Sequence, residues 1–96
     1  MDQADYLVGF FYFRQRWYPG AIDRFQSVLK QDPAYTGRDA VYFYLGESLF
    51  KADKKAEALP VYEKLVQEFE TSSYLPEAQK RITELKADLA QRASKG

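Results

Sequence analysis

The chain repeats itself at a spacing of 37 residues. Shifting the sequence onto itself by 37 positions aligns identical residues, among them Asp2 with Asp39, Gly9 with Gly46, Phe13 with Phe50, and Ala21 with Ala58. A period of roughly 20–50 residues is typical of arrays in which each unit is one supersecondary structure and neighbouring units stack to bury a common core. With 96 residues, the chain holds two such units and a shorter remainder.

Each unit has small residues at the positions where two helices would cross, and each small residue is followed by a larger apolar one. A glycine is followed three positions later by a larger apolar residue, and an alanine precedes an aromatic residue by four positions: Gly9 with Tyr12, Ala21 with Phe25, Gly46 with Leu49, and Ala58 with Tyr62. Spacings of three and four keep residues on one helix face. We therefore predict two helical hairpins, with Gly9 and Gly46 as packing residues where the helices cross.

Turn and capping residues place the helix boundaries. The predicted helices cover residues 2–16, 19–32, 38–52, 53–69 and 76–92. Pro19 and Pro76 suit first turns, where no amide hydrogen bond is lost, and Asp53 can cap the fourth helix. Pro60 falls inside the fourth helix and predicts a bend there. The fifth helix carries an apolar stripe, formed by Ala78, Ile82, Leu85 and Leu89.

The spacings match the tetratricopeptide signature W-x2-L-G-x2-Y, A-x3-F, P. The chain departs from it at Asp5, where the first unit should have an aromatic residue, and at Glu70, where the second proline would stand. At Asp5 the first helix is expected to begin late or to pack on something absent. The sequence thus resembles tetratricopeptide-repeat proteins. The implied fold class is an all-α superhelix in one domain, residues 1–92, with unit one at 2–35, unit two at 39–72, a capping helix at 76–92 and a frayed tail at 93–96.

Longer stretches resemble a narrower branch of that family. Residues 11–18, followed by 21–25, look like the start of a late repeat of the BamD family of outer-membrane assembly lipoproteins, and residues 74–78 look like that family's linker. The resemblance implies a periplasmic scaffold, associated with the outer membrane through an anchor that this chain does not contain. Its implied partners are the periplasmic domains of BamA, and its implied role is to help insert β-barrel proteins. The alternative is a generic peptide-binding or co-chaperone module outside the envelope.

Composition excludes several other functions. The chain has 14 basic and 14 acidic residues, whereas nucleic-acid binding calls for a basic excess. It contains neither Cys nor His, which removes thiol nucleophiles, zinc sites and His-based acid–base catalysis. The carboxylates Glu63, Glu68 and Glu70 have ordinary helix-surface spacing. We therefore expect no enzymatic activity, no cofactor and no metal.

The first helix of each unit carries the predicted partner-binding residues. They are displaced from the crossing glycines toward the concave side of the array, where aromatic side chains form an apolar groove. The predicted contacts are Tyr6, Phe10, Phe13, Arg14, Phe43, Glu47, Phe50 and Lys51. A structural alternative is that neighbouring repeats, absent from this chain, cover some of them, and an uncovered surface also favours self-association.

Two further residues are secondary candidates. Trp17 lies at the turn after the first helix, where it either anchors a partner or packs within the hairpin. Arg24 lies on the second helix, where it either contacts an acidic partner or belongs to a solvated face.

Overall fold

The computed structural model describes residues 2–95, and this part of the chain forms five α-helices and no strand. The all-α prediction is therefore confirmed. The helices are α1 (Asp2–Arg14), α2 (Tyr18–Gln31), α3 (Arg38–Lys51), α4 (Lys55–Glu68) and α5 (Leu75–Lys95). No helix among these residues is both long enough and apolar enough to span a membrane.

Two helical hairpins and a closing helix stack in chain order. α1 packs on α2 and α3 on α4, while α2 also contacts α3 and α4 contacts α5. One continuous core runs through all the layers, with the fully buried residues drawn from four of the helices: Ala21, Phe25, Val28, Val41, Ala58, Tyr62, Leu65, Ala78 and Leu85.

Both crossing glycines lie where predicted. A Cβ atom added to Gly9 would stand 2.8 Å from Phe25 Cε1, and one added to Gly46 would stand 2.8 Å from Tyr62 Cε1. Both rings are fully buried. The absence of a side chain lets the two helices of each hairpin approach this closely.

α1 and α3 end in the same turn. Arg16 and Asp53, 37 residues apart, adopt left-handed backbone angles with φ of 63° and 62°. The next amide in each case donates to a carbonyl five residues back, Trp17 to Tyr12 at 2.9 Å and Lys54 to Leu49 at 2.8 Å. This is the Schellman arrangement, which satisfies carbonyls left open at a helix end.

That turn corrects two boundary predictions. α1 stops at Arg14 rather than at residue 16, because the left-handed residue that ends it is Arg16 itself. Asp53 does not cap α4, since it is the left-handed residue of the preceding turn. The N-cap position belongs to Lys54, whose side chain makes no capping hydrogen bond.

The remaining boundaries fall close to the predictions. Pro19 lies in the first turn of α2, and α4 continues through Pro60. α5 extends to Lys95, so residues 93–95 are helical rather than frayed, because no helix-breaking residue stands before Gly96. Met1 and Gly96, which the predicted domain and tail include, lie outside the described residues.

Arg38 joins the two hairpins at the start of α3. Its guanidinium donates hydrogen bonds to the carbonyls of Leu29 (3.2 Å) and Asp32 (2.8 Å) at the end of α2, and to the hydroxyl of Tyr42 (3.2 Å). A cation at a helix C-terminus is favoured by the helix dipole as well as by these bonds. Arg38 therefore fixes α3 against the end of α2.

α5 takes the place of the first helix of a third unit. Its first residue, Leu75, comes 37 positions after Arg38, the first residue of α3. α5 packs along α4 much as α3 packs along α2. Of its predicted apolar stripe, Ala78 and Leu85 are fully buried, and Ile82 and Leu89 are half-buried.

Candidate functional site

Half-buried aromatic side chains form a continuous strip across α1, α3 and the start of α5. We call this set the aromatic strip, and its members are Tyr6, Phe10, Phe13, Phe43, Tyr44 and Tyr74. On α1, Phe10 stacks with Tyr6 at 6.3 Å and with Phe13 at 6.2 Å between ring centroids. Because each ring contacts the next, the strip is one ordered surface rather than a set of separate side chains.

Tyr44 links the rings of α1 to those of the second unit. Its ring meets Phe10 edge-on at 4.9 Å and Phe13 at 5.3 Å. It also contacts Phe43 at 5.3 Å, and Phe43 stacks on Tyr74 at 4.9 Å. Neither Tyr44 nor Tyr74 is among the partner-binding residues predicted from the sequence, although Tyr74 belongs to the connector at residues 74–78.

The structure corrects the prediction that Glu47 faces an open groove. Glu47 is only 8% exposed. Its carboxylate accepts hydrogen bonds from Arg81 of α5 at 2.8 Å and 3.1 Å, and one from the hydroxyl of Tyr62. A buried carboxylate requires such partners, because desolvation without them is costly. Glu47 therefore joins α3 to α4 and α5 within the chain.

Phe50 is covered by the same arginine. The guanidinium carbon of Arg81 lies 4.3 Å from the centroid of the Phe50 ring, a cation–π contact, and the ammonium of Lys55 lies 5.5 Å from it. At this end of the predicted groove the cover comes from α5 of the chain itself.

The two layers of the array use equivalent positions with different chemistry. Tyr44 contacts Phe10 and Phe13 of the preceding unit. Thirty-seven residues later, Arg81 contacts Glu47 and Phe50, which are the counterparts of Phe10 and Phe13. An aromatic contact between α1 and α3 thus becomes a charged contact between α3 and α5.

Arg14 and Lys51 are exposed, as the prediction of partner contacts requires. Each directly follows the last ring of its helix, Phe13 or Phe50. Arg14 therefore stands beside the aromatic strip, where it shares a cleft with Phe10, and Lys51 occupies the repeat-equivalent position next to Phe50.

The secondary candidates are both engaged within the first hairpin. Trp17 packs edge-on against Tyr12 at 4.6 Å, yet it remains 54% exposed. Arg24 forms a 3.1 Å ion pair with Asp5. This pair explains Asp5, since α1 does not begin late and the acidic side chain binds across the hairpin. The equivalent positions in the second unit are the apolar pair Tyr42 and Val61.

Burial keeps the tyrosine hydroxyls of this region protonated. It is the main cause that raises the pKa of Tyr6 to about 12, and burial also raises the pKa of Tyr44. The pKa of Tyr62 is raised by burial and then by its bond to Glu47, while hydrogen bonding to Glu47 raises the pKa of Arg81. At neutral pH these groups are neutral hydroxyls and a charged guanidinium.

Within residues 2–95 no group of three acidic side chains is placed to hold a metal ion. Of the carboxylates weighed as an acid–base pair, Glu63 lies 3.6 Å from Lys86 and Glu68 lies 3.7 Å from Lys64. These are ordinary surface ion pairs.

Residues 40–72, which include α4 and all of α3 but its first two residues, match the family model of the tetratricopeptide repeat. A search of curated proteins found no match to the chain. The second hairpin is thus a tetratricopeptide repeat, a module generally associated with protein–protein interaction rather than catalysis.

Proposed function

We propose that this chain is a protein-binding scaffold whose contact surface is the aromatic strip together with Arg14 and Lys51. The observation that carries the proposal is the continuity of the strip, in which six half-buried rings from α1, α3 and the turn before α5 contact one another. A bound protein segment would cover the exposed parts of these rings.

The physical properties of the strip suit recognition of another protein. Aromatic side chains offer large apolar area with few rotatable bonds, so little conformational entropy is lost when a partner binds. Here the ring–ring contacts already hold the side chains in place. The hydroxyls of Tyr6, Tyr44 and Tyr74 supply hydrogen-bonding groups beside that apolar surface.

The exposed cations Arg14 and Lys51 indicate what kind of protein segment this surface can bind. Arg14 and Lys51 are exposed cations, and the chain as a whole is neutral. A segment with apolar side chains for the rings and acidic side chains for the two cations is complementary to this surface.

The more specific form of the proposal is a role in outer-membrane protein assembly, in the periplasm. It is supported by the likeness of residues 11–25 and 74–78 to BamD-type lipoproteins. In this form the partner is a periplasmic domain of BamA, and the chain acts within a larger, membrane-anchored protein.

Isothermal titration calorimetry of the chain against purified BamA periplasmic domains tests both forms. We expect Phe13→Ser and Phe43→Ser each to weaken binding roughly tenfold or more, as loss of a central aromatic contact does. Gln26→Ser, at an exposed position on α2, is the matched control and should bind as the unmodified chain does. Circular dichroism establishes that each variant remains helical.

The binding results distinguish the outer-membrane assembly role from a general protein-binding role. Absence of binding to BamA domains contradicts the assembly role. A panel of acidic–aromatic peptides, each made with a free and an amidated C-terminus, then tests the general form. Peptide binding that survives Phe13→Ser and Phe43→Ser would show that the aromatic strip is not the contact surface, and binding only of free carboxylates would favour the co-chaperone alternative.

A further inference from the structure

A second surface, adjoining the aromatic strip at Phe10 and Arg14, lies on the outer face of α1. Leu7 is 56% exposed and Phe11 is 58% exposed, and Ala4 on the same face is exposed as well. We call these three residues the α1 outer face. Leu7 and Phe11 are spaced by four residues and thus lie one above the other on the helix.

The counterparts of Ala4 and Phe11 in the later repeats are buried. One unit later, the positions of Ala4 and Phe11 are Val41 and Ser48, and two units later they are Ala78 and Leu85. All four of these counterparts are fully buried. α5 packs chiefly against α4, so Ala78 and Leu85 are buried by the second helix of the preceding hairpin. At Ala4 and Phe11 the same register on α1 carries exposed residues. The counterparts of Leu7 are the half-buried Tyr44 and Arg81, which contact the first helix of the preceding unit.

We propose that the α1 outer face is the docking surface for one amphipathic helix of a partner polypeptide. The helix lies antiparallel to α1, as α4 lies against α5. It presents an apolar face to Leu7 and Phe11, the two large exposed side chains of the α1 outer face.

Charge further defines the incoming helix. At the α4–α5 contact, Lys55 in the first turn of α4 pairs with Asp88 of α5 at 3.4 Å. The position of Asp88 corresponds, two units earlier, to Arg14 on α1, which is exposed. The sign of the charge is reversed there, so the complementary helix carries an acidic residue in its first turn.

A second copy of this chain is a poor match for that description. The helices with the required face are α2 and α4, and these are already covered by α3 and α5. A second copy could offer one of them only by unpacking its own core.

The test uses the full chain and a fluorescein-labelled peptide of residues 55–69 carrying Pro60→Ala, which improves its helicity. Fluorescence anisotropy compares this peptide with one that also carries Lys55→Glu. We expect both to bind, and the Lys55→Glu peptide to bind roughly two- to threefold tighter, an advantage that high salt removes. The chain variant Leu7→Ser/Phe11→Ser should bind either peptide roughly tenfold more weakly or worse.

Two control variants test whether the peptide binds at the α1 outer face. Trp17→Ser removes a side chain of similar exposure that lies off the α1 outer face, and it should leave peptide binding unchanged. Phe13→Ser, which alters the aromatic strip, should leave it unchanged too, so failure here is distinct from failure of the proposed function. Equal binding by the unmodified chain and by Leu7→Ser/Phe11→Ser overturns the proposal. So does a dimer in sedimentation velocity that Leu7→Ser/Phe11→Ser dissociates and the peptides do not, because the occupant is then a second copy.

Discussion

Arg81 binds Glu47 through two hydrogen bonds, although the residues lie 34 positions apart and on different helices. The same carboxylate accepts the hydroxyl hydrogen of Tyr62 on α4. This one carboxylate therefore joins the second hairpin to the closing helix.

Replacing Glu47 with Ala should destabilise the fold by about 3 kcal/mol, because it leaves a buried tyrosine hydroxyl and a partly buried guanidinium without their partner. Urea denaturation measures the change. Glu84→Ala is the matched control, since Glu84 also pairs with Arg81 but is largely exposed, and it should cost less than about 0.5 kcal/mol. Equal losses for the two variants would contradict the assignment of a special role to Glu47.

Adding a methyl group at either crossing glycine should also destabilise the chain. In Gly46→Ala the new Cβ meets the buried Tyr62 ring at 2.8 Å, and in Gly9→Ala it meets Phe25 at the same distance. We expect each to cost about 1–3 kcal/mol. Gly20→Ala is the contrast, because the nearest atoms there belong to Trp17, which is exposed enough to move. If all three variants lowered the thermal midpoint equally, Gly9 and Gly46 would not be packed more tightly than Gly20.

Pro60→Ala should stabilise the chain by up to about 3 kcal/mol. Pro60 is an exposed residue inside α4, and alanine restores the amide that can donate to the carbonyl of Ala56. The predicted bend should lessen at the same time. Chemical denaturation gives the stability, and Pro33→Ala, in the turn after α2, controls for the general effect of removing a proline. A midpoint that falls in Pro60→Ala alone would mean that the proline fits its site.

Alkaline pH should weaken the fold through Tyr6. Its pKa is raised to about 12 in the folded chain, against 10.0 ordinarily, so the unfolded chain loses this proton first. The stabilisation is complete below pH 10 and is lost as pH rises from 10 toward 12. Tyr6→Phe should show a smaller fall in unfolding free energy over this range than the unmodified chain. Part of the fall should remain, because burial also raises the pKa of Tyr44. Identical profiles for the two proteins would rule out Tyr6 as a contributor.

The sequence predicted the features that depend on a single helix pair. Gly9 and Gly46 lie at the crossings because the signature spacing relates each glycine directly to one helix of its own hairpin. Glu47 was misread, since its burial depends on Arg81, which reaches it from another layer. Asp5 is an exception within a single hairpin, because the signature has an aromatic residue at its position and does not predict an ion pair with Arg24. Sequence periodicity predicts which face of a helix a residue lies on, but it does not predict which side chain of a neighbouring helix contacts that residue.

The matching turns at Arg16 and Asp53 do not require a particular side chain at the tips of the hairpins. Backbone hydrogen bonds close both turns, and one tip presents a cation where the other presents an anion. The two tips are thus geometrically interchangeable yet electrically opposite, so their side chains can diverge in evolution, or be recoded by design, while the path of the main chain stays the same.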